Sequence, residues 1–171
     1  MLPSIHEFGT ENPDILLMFP PLGCRWDIYD YVRPLLAKTF HVMIVSYPGL
    51  DEKQPHTDFT SVEQVAAGVE DLLLEKGRGH VKCIFGCSMG GGITARILST
   101  GRVTADCYIM DGGMTPYELP KIATYFIGIR DYLMIAAAKI MGIKALREVM
   151  NPDKFSEEDA QYMLEIGRAH V

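Results

Sequence analysis

Val81-Lys82-Cys83-Ile84-Phe85-Gly86-Cys87-Ser88-Met89-Gly90-Gly91-Gly92-Ile93 is the stretch that decides the fold. Four of its first five residues are apolar and two of those are β-branched, the pattern of a buried strand. From Gly90 to Leu98 small and apolar residues recur at helical spacing, and Thr100-Gly101 marks the stop. Between the two lies Gly86-Cys87-Ser88-Met89-Gly90, a G-x-S-x-G sequence at a strand-to-helix turn. Such a turn holds its serine in a strained conformation with the hydroxyl exposed. Glycines flank it because the two backbones nearly touch and a Cβ would clash. The helix N-terminus then aims amide N–H groups at an oxyanion forming beside Ser88. The plainer alternative is a glycine-rich turn with no chemistry.

The surrounding chain repeats the strand-helix alternation. Strand-like runs at Ile15–Phe19, Val42–Ser46, Val81–Phe85 and Ala105–Met110 alternate with helical patterns, which predicts βαβ units and a mostly parallel sheet. Ser4 to Phe8 is a candidate first strand. A helix is predicted from Ser61 to Lys76, opened by the capping box Thr60-Ser61-Val62-Glu63. Its apolar face is Val62, Val65, Ala66, Val69, Leu72 and Leu73. A second helix is predicted from Asp27 to Ala37, with Ile28, Tyr31, Val32, Leu35 and Leu36 inward and Pro34 as a kink or start.

These stretches resemble an α/β-hydrolase with a helical lid. The matching segments are LLMFPPLGCRWDIYDYVRPLL, HVMIVSYPGLDEK, CIFGCSMGG and ADCYIMDGGMTPYELP, in the family's order from Ile15 to about Pro120. The resemblance implies an α/β fold, a mostly parallel sheet with helices on both faces and a helical lid after the sixth strand. It makes Ser88 the nucleophile, Gly86 and Gly90 the elbow glycines, and the N–H groups of Leu22 and Met89 the oxyanion hole. The loop Pro20-Pro21-Leu22-Gly23-Cys24 carries prolines where the family usually has His-Gly, which leaves the Leu22 N–H available. Asp111, at the end of the strand Ala105–Met110, is a candidate acid. Its alternative is a turn-fixing aspartate.

Tyr117 to Met150 changes texture, to helices rich in Ile, Ala and Met. As a lid it would offer Met134, Met141 and Ile135 to an apolar substrate. Ordinary core packing explains the same residues equally well. Its longest apolar run, Tyr132 to Ala138, is far short of the about 20 residues a membrane span needs.

The 171 residues suffice for one domain but are short for this fold. The triad in this fold runs serine, acid, histidine, yet His170 is the only histidine after Ser88. Ile166-Gly167-Arg168-Ala169-His170-Val171 can be back-translated as ATC GGA AGA GCA CAC GTC. With a following TGA this matches a widely used sequencing adapter, so the natural coding sequence is expected to break off near Glu165. The alternative is a natural helix end at Gly167. The expected organisation is a hydrolase core over 1–116, a helical lid over 117–165 and an adapter artefact over 166–171. The fragment is expected to be inactive, because its catalytic histidine is missing.

The remaining features narrow the function classes. A formal net charge of −6 and a pI near 5.3 give no basic field for nucleic acid. Cys24, Cys83, Cys87 and Cys107 lack metal-ligand spacing, and no cofactor motif is complete. Free cysteines without a signal peptide predict a cytoplasmic protein. The expected partner is a small-molecule acyl substrate, with no nucleic acid and no membrane span. The expected activity is serine hydrolysis of a carboxylic ester through an acyl-enzyme, and the alternative is a non-catalytic binding protein on the same fold.

Overall fold

A computed structural model describes residues 3–51, 57–113 and 120–141, apart from seven side chains of the last helix. Five strands, β1 (Ser4–Phe8), β2 (Ile15–Phe19), β3 (His41–Ser46), β4 (His80–Cys87) and β5 (Thr104–Asp111), form one sheet in the order β1-β3-β2-β4-β5. β1 runs antiparallel to β3, and the other pairings are parallel. The intervening helices are α1 (Arg33–Leu36), α2 (Val62–Glu75) and α3 (Met89–Thr100), and α4 (Lys121–Met141) follows β5. The sheet is that of an incomplete α/β-hydrolase fold.

Helices cover both faces of the sheet. Leu17, Phe19, Met43 and Val45 pack against Val65, Val69 and Leu73 of α2 and Ile93 and Ile97 of α3. On the opposite face Leu16, Met18, Val42, Ile44 and Cys83 meet Trp26, Tyr29 and Leu36. The central strands are apolar at successive positions because both of their faces are buried.

Local chemistry sets the helix starts. Ser61, one residue later than predicted, caps α2: its side chain accepts from the Gln64 N–H at 3.2 Å. Gln64 Oε1 accepts in return from the Thr60 N–H at 2.8 Å. The reciprocal partner is therefore Gln64, not Glu63, because the extended residue is Ser61. The helix expected over Asp27–Ala37 is divided, with the new start falling at Pro34, one of the two expected alternatives. A 3-10 turn at Trp26–Tyr29 is followed by the single turn of α1, and Tyr31 (83%) and Leu35 (63%) are exposed rather than inward. Pro34 lacks an N–H and would clash with the carbonyl of Asp30 in a continuous helix, so it takes a place in the first turn of a new one. β5 is an edge strand of the described sheet, and Ile109 and Met110 are exposed.

At the start of β3, away from the elbow end of the parallel strands, Glu7 of β1 gathers an ionic cluster. Its carboxylate accepts from Lys76 Nζ at 2.6 Å and Arg78 Nη1 at 2.9 Å. His41 Nε2 lies 2.8 Å from Glu7 Oε2, off the line of a hydrogen bond. Burial alone would raise the Glu7 carboxyl, but the Lys76 and Arg78 hydrogen bonds outweigh it and hold the pKa at about 2.

The chain divides into two compact units, Met1–Pro116 and Tyr117–Val171. In the second, α4 begins with the Thr124 N–H donating to the Pro120 carbonyl at 3.1 Å. It exposes Ile122, Tyr125, Phe126 and Tyr132. α4 follows β5 in the chain. Among the described residues no helix is long and apolar enough to cross a membrane.

Candidate active site

β4 ends at Cys87 and α3 begins at Met89, so Ser88 alone makes the turn. Its backbone sits at φ 52°, ψ −115°, and among the described residues no other non-glycine has positive φ. An L-residue reaches this region only where its surroundings over-determine it. Here those surroundings are glycines. A Cβ on Gly86 would lie 2.1 Å from the Gly90 carbonyl oxygen, and one on Gly90 would lie 2.3 Å from that of Phe19. A Cβ on Gly91 would meet Gly113 Cα at 2.5 Å. The Ser88 N–H donates to the Asp111 carbonyl at 2.8 Å, and the Ser88 carbonyl accepts from Gly91 N–H at 2.9 Å. Met89 is the first residue of α3, so its N–H has no acceptor within the helix.

The second amide-bearing loop leaves β2 beside the elbow, since Phe19 pairs with Gly86 across the sheet. Pro21, Leu22, Gly23 and Cys24 form a turn closed by Cys24 N–H to the Pro21 carbonyl at 3.2 Å, with Gly23 at φ 77°. Positive φ at the third position is what glycine supplies in a type II turn. Two buried tyrosines hold the stem of this loop. Tyr29 Oη donates to the Phe19 carbonyl at 3.2 Å and Tyr47 Oη to the Pro20 carbonyl at 2.6 Å. Burial, reinforced by neighbouring ionisable groups including Cys87 and Cys24, pushes both phenols far above their usual range, so they stay protonated donors. Sequence reasoning missed both. The signal available was that a buried tyrosine needs a partner for its hydroxyl.

Asp111 closes the site from β5. Opposite Cys87 in register, it accepts the Cys87 thiol at Oδ2 over 3.7 Å while its carbonyl holds the Ser88 N–H. Burial, then the charge of Asp111, raises the Cys87 thiol, and burial with Cys87 and Asp27 raises Cys24. Both thiols are therefore protonated near neutrality and are poor nucleophiles. The three described histidines are engaged elsewhere. His6 stacks on Trp26 at 4.1 Å, His41 sits at Glu7, and His80 contacts Thr104 and Asp106 at 2.9 and 3.1 Å. Among the described residues no group of three His, Cys, Asp or Glu could hold a metal ion. The side chains of Met134 and Met141, and residues 142–171 with the predicted adapter-derived tail, lie outside the described residues.

A mostly parallel sheet in this order, with a serine in a strained turn between β4 and α3, defines the α/β-hydrolase class. The chain belongs to the alpha/beta hydrolase family, which it matches over residues 16–169. It is similar in structure to MenH from S. aureus, with a TM-score of 0.69, 16% identity, and coverage of 99% of this chain and 69% of that one. A carboxylesterase structure from Nitrososphaera gargenis matches with a TM-score of 0.69 at 20% identity, covering 98% of this chain and 62% of the other. A thermophilic esterase from Thermogutta terrifontis gives 0.68 and 17%, with 99% and 65% covered. At these identities the likeness is one of fold. A search of curated proteins gives no match.

Proposed function

We propose that the protein is a serine hydrolase acting on carboxylic esters or related acyl substrates. The observation that carries this is Ser88 itself, a non-glycine held at φ 52° between a strand end and a helix N-terminus by glycines that leave no room for a Cβ. In this reading Ser88 attacks the acyl carbon and forms an acyl-enzyme, and the N–H groups of Leu22 and Met89 receive the oxyanion. Gly86 and Gly90 make the turn possible. Asp111 anchors the serine through its carbonyl; its carboxylate could act as the triad acid only by leaving the Cys87 thiol. The general base is a histidine outside the described residues, since an unassisted serine hydroxyl is a poor nucleophile. The esterase named among the similar folds supports the ester class, and a reducing cytoplasm suits the four free cysteines.

A second reading, a non-catalytic binding protein, is favoured by one observation: the described histidines all pair away from Ser88. A fluorophosphonate probe on the full-length gene product separates the two. Label on the wild type that disappears in Ser88→Ala is expected. Equal or absent label in both supports the binding protein. For the 171 residues alone, little or no turnover of an aryl ester is expected.

A further inference from the structure

Two cysteines that the proposed chemistry does not use face each other across the sheet. Cys83 of β4 and Cys107 of β5 are direct partners in the parallel register, so their side chains leave the same face of neighbouring strands. Cys83 is buried against Leu16 and Met18, while Cys107 is exposed. Paired strands run about 4.8 Å apart, inside the Cα separation of about 4.4–6.8 Å that a disulfide bridges. No other thiol competes in register. On its other side Cys83 faces Leu16, and Cys87 faces Asp111.

We propose that Cys83 and Cys107 are a thiol-oxidation site that closes reversibly into a cross-strand disulfide when it meets a hydroperoxide. The exposed Cys107 reacts first. Its thiolate attacks the terminal peroxide oxygen, the O–O bond breaks, the alcohol (or water) departs, and Cys107 becomes a sulfenic acid. Cys83 sulfur then attacks the sulfenic sulfur and expels hydroxide, which takes up the Cys83 proton and leaves as water. Two thiols and one hydroperoxide thus give one disulfide, one alcohol and one water. Burial and the neighbouring thiol hold Cys83 above the ordinary cysteine range, so Cys83 is not the thiol that meets the hydroperoxide first. Closure draws the two Cβ atoms together from strand spacing toward about 3.8 Å, so the bond is strained and easily reduced. It ties β4 to β5 upstream of Ser88 and Asp111. The inference does not rest on the hydrolase reading.

The test is treatment of the 171-residue chain with hydrogen peroxide, alkylation of remaining thiols, tryptic digestion without reduction and mass spectrometry. The expected product joins the peptide Cys83–Arg96 to the peptide Val103–Lys121, two hydrogens lighter than their sum and split by dithiothreitol. Cys87→Ala removes the other thiol of the first peptide, and the link should survive in it and in Cys24→Ala. It should vanish in Cys107→Ser, a change at an exposed site that leaves the core intact. A link through Cys87 or Cys24, a Cys107–Cys107 dimer, or Cys107 oxidised to sulfinic acid with no link would each overturn the proposal.

Discussion

The two halves of the candidate oxyanion site are built on opposite plans. The elbow is over-determined by its own backbone: Gly86 sits against Gly90, Gly90 against Phe19 and Gly91 against Gly113, with no side chain between them. The loop after β2 is held at a distance, by two tyrosine hydroxyls reaching the carbonyls of Phe19 and Pro20 from elsewhere in the chain. One half therefore tolerates no added atom, and the other depends on a few removable ones. The contrast is between steric exclusion, which is steep and local, and hydrogen bonding, which is graded and long-range.

The largest effect should come from the steric half. Gly86→Ala places a Cβ 2.1 Å from a backbone oxygen that cannot turn aside. Urea unfolding should show a loss of about 4 kcal/mol or failure to fold. A loss below about 1 kcal/mol would show that the elbow yields, and the contrast would collapse.

Acid provides a control at the opposite end of the sheet. Glu7 has a folded pKa of about 2 against an ordinary 4.5, so its contribution is fully present above pH 4.5 and is lost as pH falls toward 2. The loss should be on the order of 2 kcal/mol, reduced from the full shift by solvent screening of the partly exposed cluster. Thermal melts across that window should flatten in Glu7→Gln, whereas Gly86→Ala should keep the wild-type slope.

Hydroxyl deletion probes the other half. Tyr47→Phe leaves the Pro20 carbonyl without its donor and should cost about 1–2 kcal/mol in chemical denaturation. Tyr29→Phe should cost less, about 0.5–1 kcal/mol, because its bond is longer at 3.2 Å. The reverse order would mean that Tyr29, not Tyr47, anchors the loop. Smallest, and opposite in sign, is Ser88→Gly. Glycine accepts φ 52° without strain, so the variant should gain about 1 kcal/mol while losing any Ser88-dependent reaction with a fluorophosphonate.

The same contrast explains what could be read from the chain. The elbow is legible because steric exclusion writes glycines at fixed spacing around Ser88. The central strands are legible because Ile15–Phe19 and His41–Ser46 are apolar on both faces. The stretch from Trp26 to Leu36 is not. Ile28, Tyr31, Val32 and Leu35 fit a helical face, and although Pro34 marks the break, the face turned outward by Tyr31 and Leu35 is set by where the new turn packs. Tyr29 and Tyr47 escape for a related reason. Their partners are carbonyls 10 and 27 residues away, and no local pattern marks such a pairing. The cap of α2 falls one residue late because Thr60 and Ser61 are both plausible caps, and Gln64 selects between them.

The Glu7 cluster also bears on the order in which the molecule can be assembled. The ammonium and guanidinium that hold this carboxylate lie 69 and 71 residues further along the chain. β1 leaves the ribosome before its hydrogen-bonding neighbour β3 and before its charge partners, which follow α2. Contacts this distant in sequence form late, since a long loop has to close before they repay it. β1 is therefore made ahead of the groups that fasten it, and until Arg78 has emerged its Glu7 carboxylate is without the guanidinium that holds it in the folded chain.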